Sequence, residues 1–415
     1  MKTKLQLFAM GVNQTLVIAL LPQLGAHLGL TEDTQDWGWL IALLNVNLLA
    51  YWLASGWWGN KVCVIGLKKS QRFAAIGVTF STFAFAIAFH FPLSISLIVI
   101  GLSRFATGCF TSAFLPISQS NVVQKEGNSI AALSKQSSYI TIGRLFSPVL
   151  IFLPLPFYVL LLVPCLITFA SLFAPSASSS HSQCKEVNEE QTDTSRVSVN
   201  PFHGITSLSV AGLTLAMSTT ALVACTQLVI LPFIIELGYS PEQSSVVYAQ
   251  LMLYISVFVI ISQRWIIPAL SSSCWLKHRY PFLLLGILHL GASLLFFTFS
   301  QWIFFALALS FIAIGVTGLP SWYTHRMLQM QHQHLSHSQI SGGLAQAHSL
   351  GHILGTGLSA SILFFAAAPQ TLLWLIALLV TICTYRLSKR PTTKDKSARI
   401  DLITSSTSKR QNENA

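Results

Sequence analysis

The chain has 415 residues, of which 53% are hydrophobic and only 9% charged, and its mean hydropathy is +0.62. A soluble domain carries roughly 25% charged residues, so a soluble enzyme is excluded, and the length accommodates about twelve spanning helices of roughly 20 apolar residues each. The formal net charge is +11, but the basic residues lie scattered in short connections and a tail, a distribution that excludes a nucleic-acid-binding patch.

In chain order the apolar segments fall at 5–29, 37–58, 72–91, 93–120, 136–154, 156–174, 205–236, 244–269, 280–299, 302–324, 342–366 and 369–388. The basic start, Met1 to Lys4, leads straight into the first without a small-residue cleavage site, which predicts a retained helix and not a signal peptide. His90-Phe91-Pro92 and Pro154-Leu155-Pro156 serve as turns that divide longer runs. The predicted architecture is an all-α polytopic membrane protein of twelve transmembrane helices. Residues 1–174 and 204–388 form two pseudo-symmetric six-helix bundles, joined by a polar, flexible linker at 175–203 and followed by a polar, disordered tail at 389–415.

Charge fixes the orientation. Lys61, Lys68, Lys69 and Arg72 follow the second helix; Lys125 and Lys135 the fourth; Lys185 and Arg196 the sixth; Arg264, Lys277 and Arg279 the eighth; Arg326 the tenth; and Arg386, Lys389 and Arg390 the twelfth. The alternate connections carry Glu32, Asp33, Asp36, Glu236 and Glu242 and no Lys or Arg. This segregation predicts an even helix count and both termini cytoplasmic. The seven cysteines show no CxxC pair, so neither a disulfide framework nor a zinc site is expected. The loop histidines His325, His332, His334 and His337 read as a solvated segment, and no metal or cofactor is expected.

The two halves repeat. Leu21-Pro22 with Leu28-Gly29-Leu30-Thr31-Glu32 recurs as Leu231-Pro232 with Leu237-Gly238-Tyr239-Ser240-Pro241-Glu242, and Gly143-Arg144-Leu145-Phe146-Ser147 aligns with Gly351-His352-Ile353-Leu354-Gly355. Gly351 follows Gly143 by 208 positions and Pro232 follows Pro22 by 210, so the offset is nearly constant. Parallel repeats of this kind build many secondary transporters, with the substrate site between them near the midplane.

Three local motifs add chemistry. Between the second and third helices, Trp58-Gly59-Asn60-Lys61-Val62-Cys63-Val64-Ile65-Gly66-Leu67-Lys68 holds two glycines suited to a tight turn. The fourth helix carries Arg104-Phe105-Ala106-Thr107-Gly108, with arginine and glycine one turn apart on one face. The fifth carries Gly143-x-x-x-Ser147-Pro148, in which small residues four apart permit close helix approach and Pro148 bends the helix.

With these motifs on six plus six helices, the chain resembles the major facilitator superfamily over essentially its whole length, and its drug:proton antiporter and siderophore-exporter branch most of all. In the first motif Gly59, Gly66 and Lys68 are in register, whereas Cys63 and Val64 stand where the family has Asp and Arg. The charge relay that latches the outward-facing state in that family is therefore missing here. The resemblance implies a monomeric, proton-coupled exporter of a small molecule working by alternating access, with the first, fourth, seventh and tenth helices around the pathway.

Arg104 and Arg144 lie inside long apolar runs with no Asp or Glu at comparable depth. A charge there is expensive and marks a functional site, and a guanidinium suits carboxylate or phosphate, so an anionic or amphiphilic substrate is expected. Asn13, Gln14, Asn45, Asn47, Gln227, Trp322 and Tyr323 are further cavity candidates, although polar side chains in membrane helices serve equally as interhelical glue. His352, His348 and His289 are the candidate proton carriers, His352 first because it takes the repeat position of Arg144. Trp37, Trp39, Trp57, Trp58, Trp275 and Trp302 read as interfacial belt residues. The alternatives are uptake of an organic anion, or a transporter-like sensor that no longer transports.

Overall fold

The computed structural model describes residues 1–29, 34–153, 155–175, 208–236, 241–273, 276, 279–298, 302–330, 335–365 and 369–389. Among these residues the regular structure is entirely helical, which a bilayer demands of a spanning chain because no water is present there to satisfy free backbone groups. Twelve helical spans follow one another among the described residues. The first is Lys2–Ala19 continued by Leu21–His27, the second Thr34–Ile65, and the third Leu67–Ile87 with a single 3₁₀ turn at Ala88–His90. The fourth is Leu93–Thr111 continued by Phe114–Glu126, the fifth Ile130–Ile151 and the sixth Phe157–Phe173. The seventh is Val210–Glu236, the eighth Pro241–Ile261 continued by Ile267–Ser272, and the ninth Tyr280–Thr298. The tenth is Trp302–Thr317 continued by Leu319–Gln329, the eleventh His337–Phe365 and the twelfth Pro369–Ser388. Six of these are by themselves long and apolar enough to cross a membrane, and the chain is an integral multi-pass membrane protein.

Helices outrun the apolar segments at the end that carries Met1 and Lys389. The fifth begins six residues before the expected 136, where Ser129 Oγ accepts the Ala132 amide at 3.1 Å. That is an N-cap, and it starts the helix in polar sequence that hydropathy reads as loop. The connection after the second span is equally short: helix runs to Ile65, Gly66 turns alone at φ +89°, and Leu67 begins the next helix. Only the glycine of that motif at 66 makes the expected turn, because positive φ is nearly free for a residue without Cβ. Gly59 and Lys61 are helical instead. Arg264, expected in a connection, lies on a five-residue π turn, Ser262–Ile266, inside the eighth span. The turn at Phe91-Pro92 is present, whereas Pro154, the linker and the tail lie outside the described residues.

Small residues bring the helix backbones together. A Cβ on Gly143 would strike the Phe8 carbonyl, and one on Gly351 would strike the Met217 carbonyl. Phe8 and Met217 are 209 positions apart and the two glycines 208, so the fifth span packs on the first as the eleventh packs on the seventh. Ser147 Oγ adds a hydrogen bond to the Val12 carbonyl at 2.9 Å. Pro148 sits inside the fifth span, where it has no N–H to offer the Arg144 carbonyl one turn earlier. Trp58, expected in the interfacial belt, is 2% exposed and donates Nε1–H to the Cys109 carbonyl at 2.8 Å. It joins the second span to the fourth, whereas Trp39 at 77% exposure faces the surroundings.

Candidate functional site

A cavity of about 300 Å³ lies between the first six and the last six spans. Its fifth-span wall is Leu133, Ser137, Ile140, Thr141 and Arg144, a spacing of three and four residues that is one face of a helix. The tenth span supplies Leu309, Ile312, Ala313, Val316, Thr317, Pro320, Ser321 and Thr324 at the same rhythm. Gln14 and Thr15 come from the first span, Tyr51 from the second and Gln119 from the fourth. The seventh contributes Thr220 and Gln227, the eighth Met252, Ser256 and Gln263, and the eleventh His348, Ser349 and His352.

Arg144 is the one Lys or Arg among the described lining residues, and no Asp or Glu joins it. Its Nη2 donates to Gln14 Oε1 at 2.9 Å, an uncharged partner that orients the guanidinium while leaving its charge uncompensated. The His352 imidazole lines the same cavity as that guanidinium. His348, one turn earlier, meets the hydroxyl of the fully buried Tyr323 with Nε2 at 3.0 Å. The rest of the wall is apolar, hydroxylated or, at Gln119, Gln227 and Gln263, carboxamide. Chemically, this combination could hold one anionic group by charge and a mainly apolar body by contact.

The sequence candidates divide. Arg144, Gln14, Gln227, His348 and His352 line the cavity. Arg104 does not. It is 5% exposed, donates Nε–H to the Leu44 carbonyl at 3.0 Å, and lays its guanidinium 5.3 Å from the Phe85 ring centroid. One turn along, a Cβ on Gly108 would hit the Asn47 carbonyl, so the Arg104-x-x-x-Gly108 face is spent on packing the fourth span against the second. Asn13 is buried and Asn45 half-buried, both away from the cavity wall, and Trp322 and Tyr323 are buried behind it. His289 is also elsewhere: its Nε2 bonds Thr381 Oγ1 at 2.8 Å and its ring sits against Trp374, tying the ninth span to the twelfth. Two of the four loop histidines lie among the described residues. His325 Nδ1 pairs with Asn128 Oδ1 at 2.9 Å, His337 starts the eleventh span, and His332 and His334 lie outside the described residues.

The sequence reading passed over Gln119, Gln263 and the hydroxyl residues Thr15, Ser137, Thr141, Thr220 and Ser349. Serine and threonine are too common in membrane helices to signal a cavity, but the two glutamines interrupt apolar runs and were a usable signal.

At the end of the bundle that carries Met1 and Lys389 the two halves meet through mainly uncharged contacts, with one from Arg264. The second and eleventh spans meet at Gly59 and Gly342, where a Cβ on Gly342 would lie 2.8 Å from the Ser55 carbonyl. Gln339 Nε2 donates to Asn60 Oδ1 at 3.0 Å, and Ser349 Oγ to the Leu48 carbonyl at 2.6 Å. Between the fifth and eighth spans, Gln263 accepts twice: its carbonyl from Ser134 Oγ and its Oε1 from Thr141 Oγ1, both at 2.9 Å. Arg264 Nε then donates to Ser138 Oγ at 2.9 Å. The π turn delivers consecutive side chains to the same neighbour, a geometry frequent at functional sites.

No protein-family model and no curated protein matches the sequence. Solved structures do. The human organic anion transporter MFSD10 (TETRAN) is similar at TM-score 0.66 and 15% identity over 93% of this chain and 98% of that one. A bacterial homologue of the iron transporter ferroportin, in an outward-facing state with soaked iron, gives 0.63 and 15% over 94% and 100%. The proton:xylose symporter XylE, a major facilitator superfamily protein bound to 6-bromo-6-deoxy-D-glucose, gives 0.68 and 12% over 94% and 95%. The chain has the major facilitator fold.

Proposed function

We propose that the protein is a secondary active transporter of the major facilitator superfamily, not an enzyme, and that it is a proton-coupled exporter of a small amphiphilic organic anion working by alternating access. It works as a monomer, in two six-helix halves at 1–174 and 204–388, in a bacterial-type inner membrane with both termini cytoplasmic. The observation that carries this reading is Arg144: a guanidinium held by Gln14 in an apolar and hydroxylated cavity that has no carboxylate among its described lining residues. A cationic substrate would meet repulsion there, and an uncharged one would leave the guanidinium without a counter-charge. The similarity in fold to a protein described as an organic anion transporter accords with it. With the termini cytoplasmic, contacts that close their end of the cavity belong to the outward-facing part of an alternating-access cycle.

The test is counterflow in proteoliposomes with matched aromatic carboxylates, amides and amines. Exchange of the carboxylates alone is the expected result. Exchange confined to the amines, or equal exchange of all three, overturns the anion reading, and binding of carboxylates without exchange identifies a sensor.

A further inference from the structure

Outside the cavity, three spans converge on one aromatic side chain at the end that carries Met1. Lys4 Nζ of the first span and the Arg264 guanidinium of the eighth each lie 5.1 Å from the ring centroid of Tyr139 on the fifth. Lys135 is exposed one turn before Tyr139, and the Met1 amine sits in the field of Lys4, Lys2 and Lys125. Among residues whose side chains are described, Glu126 is the sole carboxylate. Like charges gathered at a seam repel, and a bound anion is what makes such an arrangement favourable.

We propose that Lys4, Tyr139 and Arg264 form a binding site for the phosphate of an anionic phospholipid headgroup. The guanidinium fork matches phosphate oxygens, the ammonium adds a point charge, and the phenol a third donor. Arg264 is pre-set, since its Nε is already fixed on Ser138 Oγ. A lipid is the source because the cations adjoin apolar surface on the same helix: Trp265 is 63% exposed and Ile261 39%. Acyl chains can lie against those side chains, with the tryptophan at headgroup level. The negative potential of a cytoplasmic leaflet attracts such basic clusters. Because Lys4 belongs to the first six spans and Arg264 to the last six, the headgroup bridges the seam and favours the closed state of that end.

The experiment is native mass spectrometry of the delipidated full chain with added phosphatidylglycerol or phosphatidylcholine. The parent is expected to retain phosphatidylglycerol and lose phosphatidylcholine. Lys4→Gln with Arg264→Gln should weaken phosphatidylglycerol binding about thirtyfold, from the contribution of each basic side chain near a membrane surface. Lys69→Gln with Arg72→Gln, which removes equal charge at exposed positions elsewhere, should leave it unchanged. If the first pair fails to fold, Tyr139→Phe keeps both cations and removes one donor, with severalfold weaker retention expected. Equal retention of the two lipids, equal loss in both paired variants, or full retention in Tyr139→Phe when the first pair is unfolded overturns the site. Displacement of the lipid by equimolar inorganic phosphate overturns the lipid as its occupant.

Discussion

Arg144 and His352 occupy matching positions, 208 residues apart, on the fifth and eleventh spans, and both side chains reach the same cavity. The glycine preceding each packs that span against its partner helix, Gly143 on Phe8 and Gly351 on Met217. Equivalent packing thus aims a permanent cation and a titratable imidazole at one space.

Arg144→Ala is expected to leave the protein inserted and folded, since Arg144 is only half-buried and its hydrogen-bond partner Gln14 also faces the cavity. Loss of a charge-assisted contact to an anion costs about 1.5–3 kcal/mol, so substrate affinity should fall roughly ten- to a hundredfold. Arg144→Lys should recover part of it, because a point charge lacks the planar fork. Calorimetric titration with the transported anion checks this, and unchanged affinity in Arg144→Ala removes Arg144 from the site.

Arg104 should behave oppositely. It is enclosed by the second, third and fourth spans, where it bonds the Leu44 carbonyl and stacks over Phe85. Arg104→Ala is expected to destabilise the fold by about 1.5–3 kcal/mol, visible as a lower melting temperature, while the folded fraction binds substrate as the parent does. A variant of parental stability that no longer binds would return Arg104 to the substrate pathway.

These two arginines show what the sequence carries and what it withholds. Each is a cation inside an apolar run, so the cost of its burial is legible from composition. Which way it points is not, because a membrane helix is apolar towards lipid and towards its neighbours alike, and no amphipathic stripe distinguishes the faces. Arg144 reaches the cavity because the fifth-span wall repeats at three and four residues from Leu133; Arg104 shares its face with Gly108, which the second span covers. Span number and the Gly143–Gly351 correspondence were readable because they rest on segment length and local spacing. Gly59 is helical and Trp58 buried, not at a turn and an interface, because hydropathy marks where a helix leaves apolar sequence, whereas here the helix continues past Asn60 and Lys61 to Ile65.

The closure at the Met1 end makes a distinct prediction. Gln263→Leu removes the acceptor of Thr141 Oγ1 but keeps the Ser134 bond to the backbone carbonyl. One neutral hydrogen bond is worth about 1 kcal/mol net, so the closed population should fall roughly fivefold relative to the open one. Gly342→Ala should act more strongly, because its methyl would meet the Ser55 carbonyl and Gly59 with no side chain able to yield. Spin-label distances between the fifth and eighth spans report the shift. A distribution identical to the parent's in both variants would place the closure elsewhere.

His352 carries the last prediction. It shares its cavity with Arg144, with His348 one turn away and with Tyr51, and no described carboxylate lines the wall. A proton on His352 adds a second positive charge beside the guanidinium, and an anion lying between the two offsets that repulsion. By reciprocity of linkage, the anion and the proton each strengthen the other's binding. Anion affinity should therefore rise as pH falls, by at most about tenfold per pH unit for one linked proton. His352→Gln keeps a hydrogen-bonding side chain that does not titrate, so its affinity should be flat over the same range. Transport against an imposed pH gradient follows the same logic, with the parent responding and the variant indifferent. Identical pH profiles for the two proteins would make His352 a packing residue and require another proton carrier.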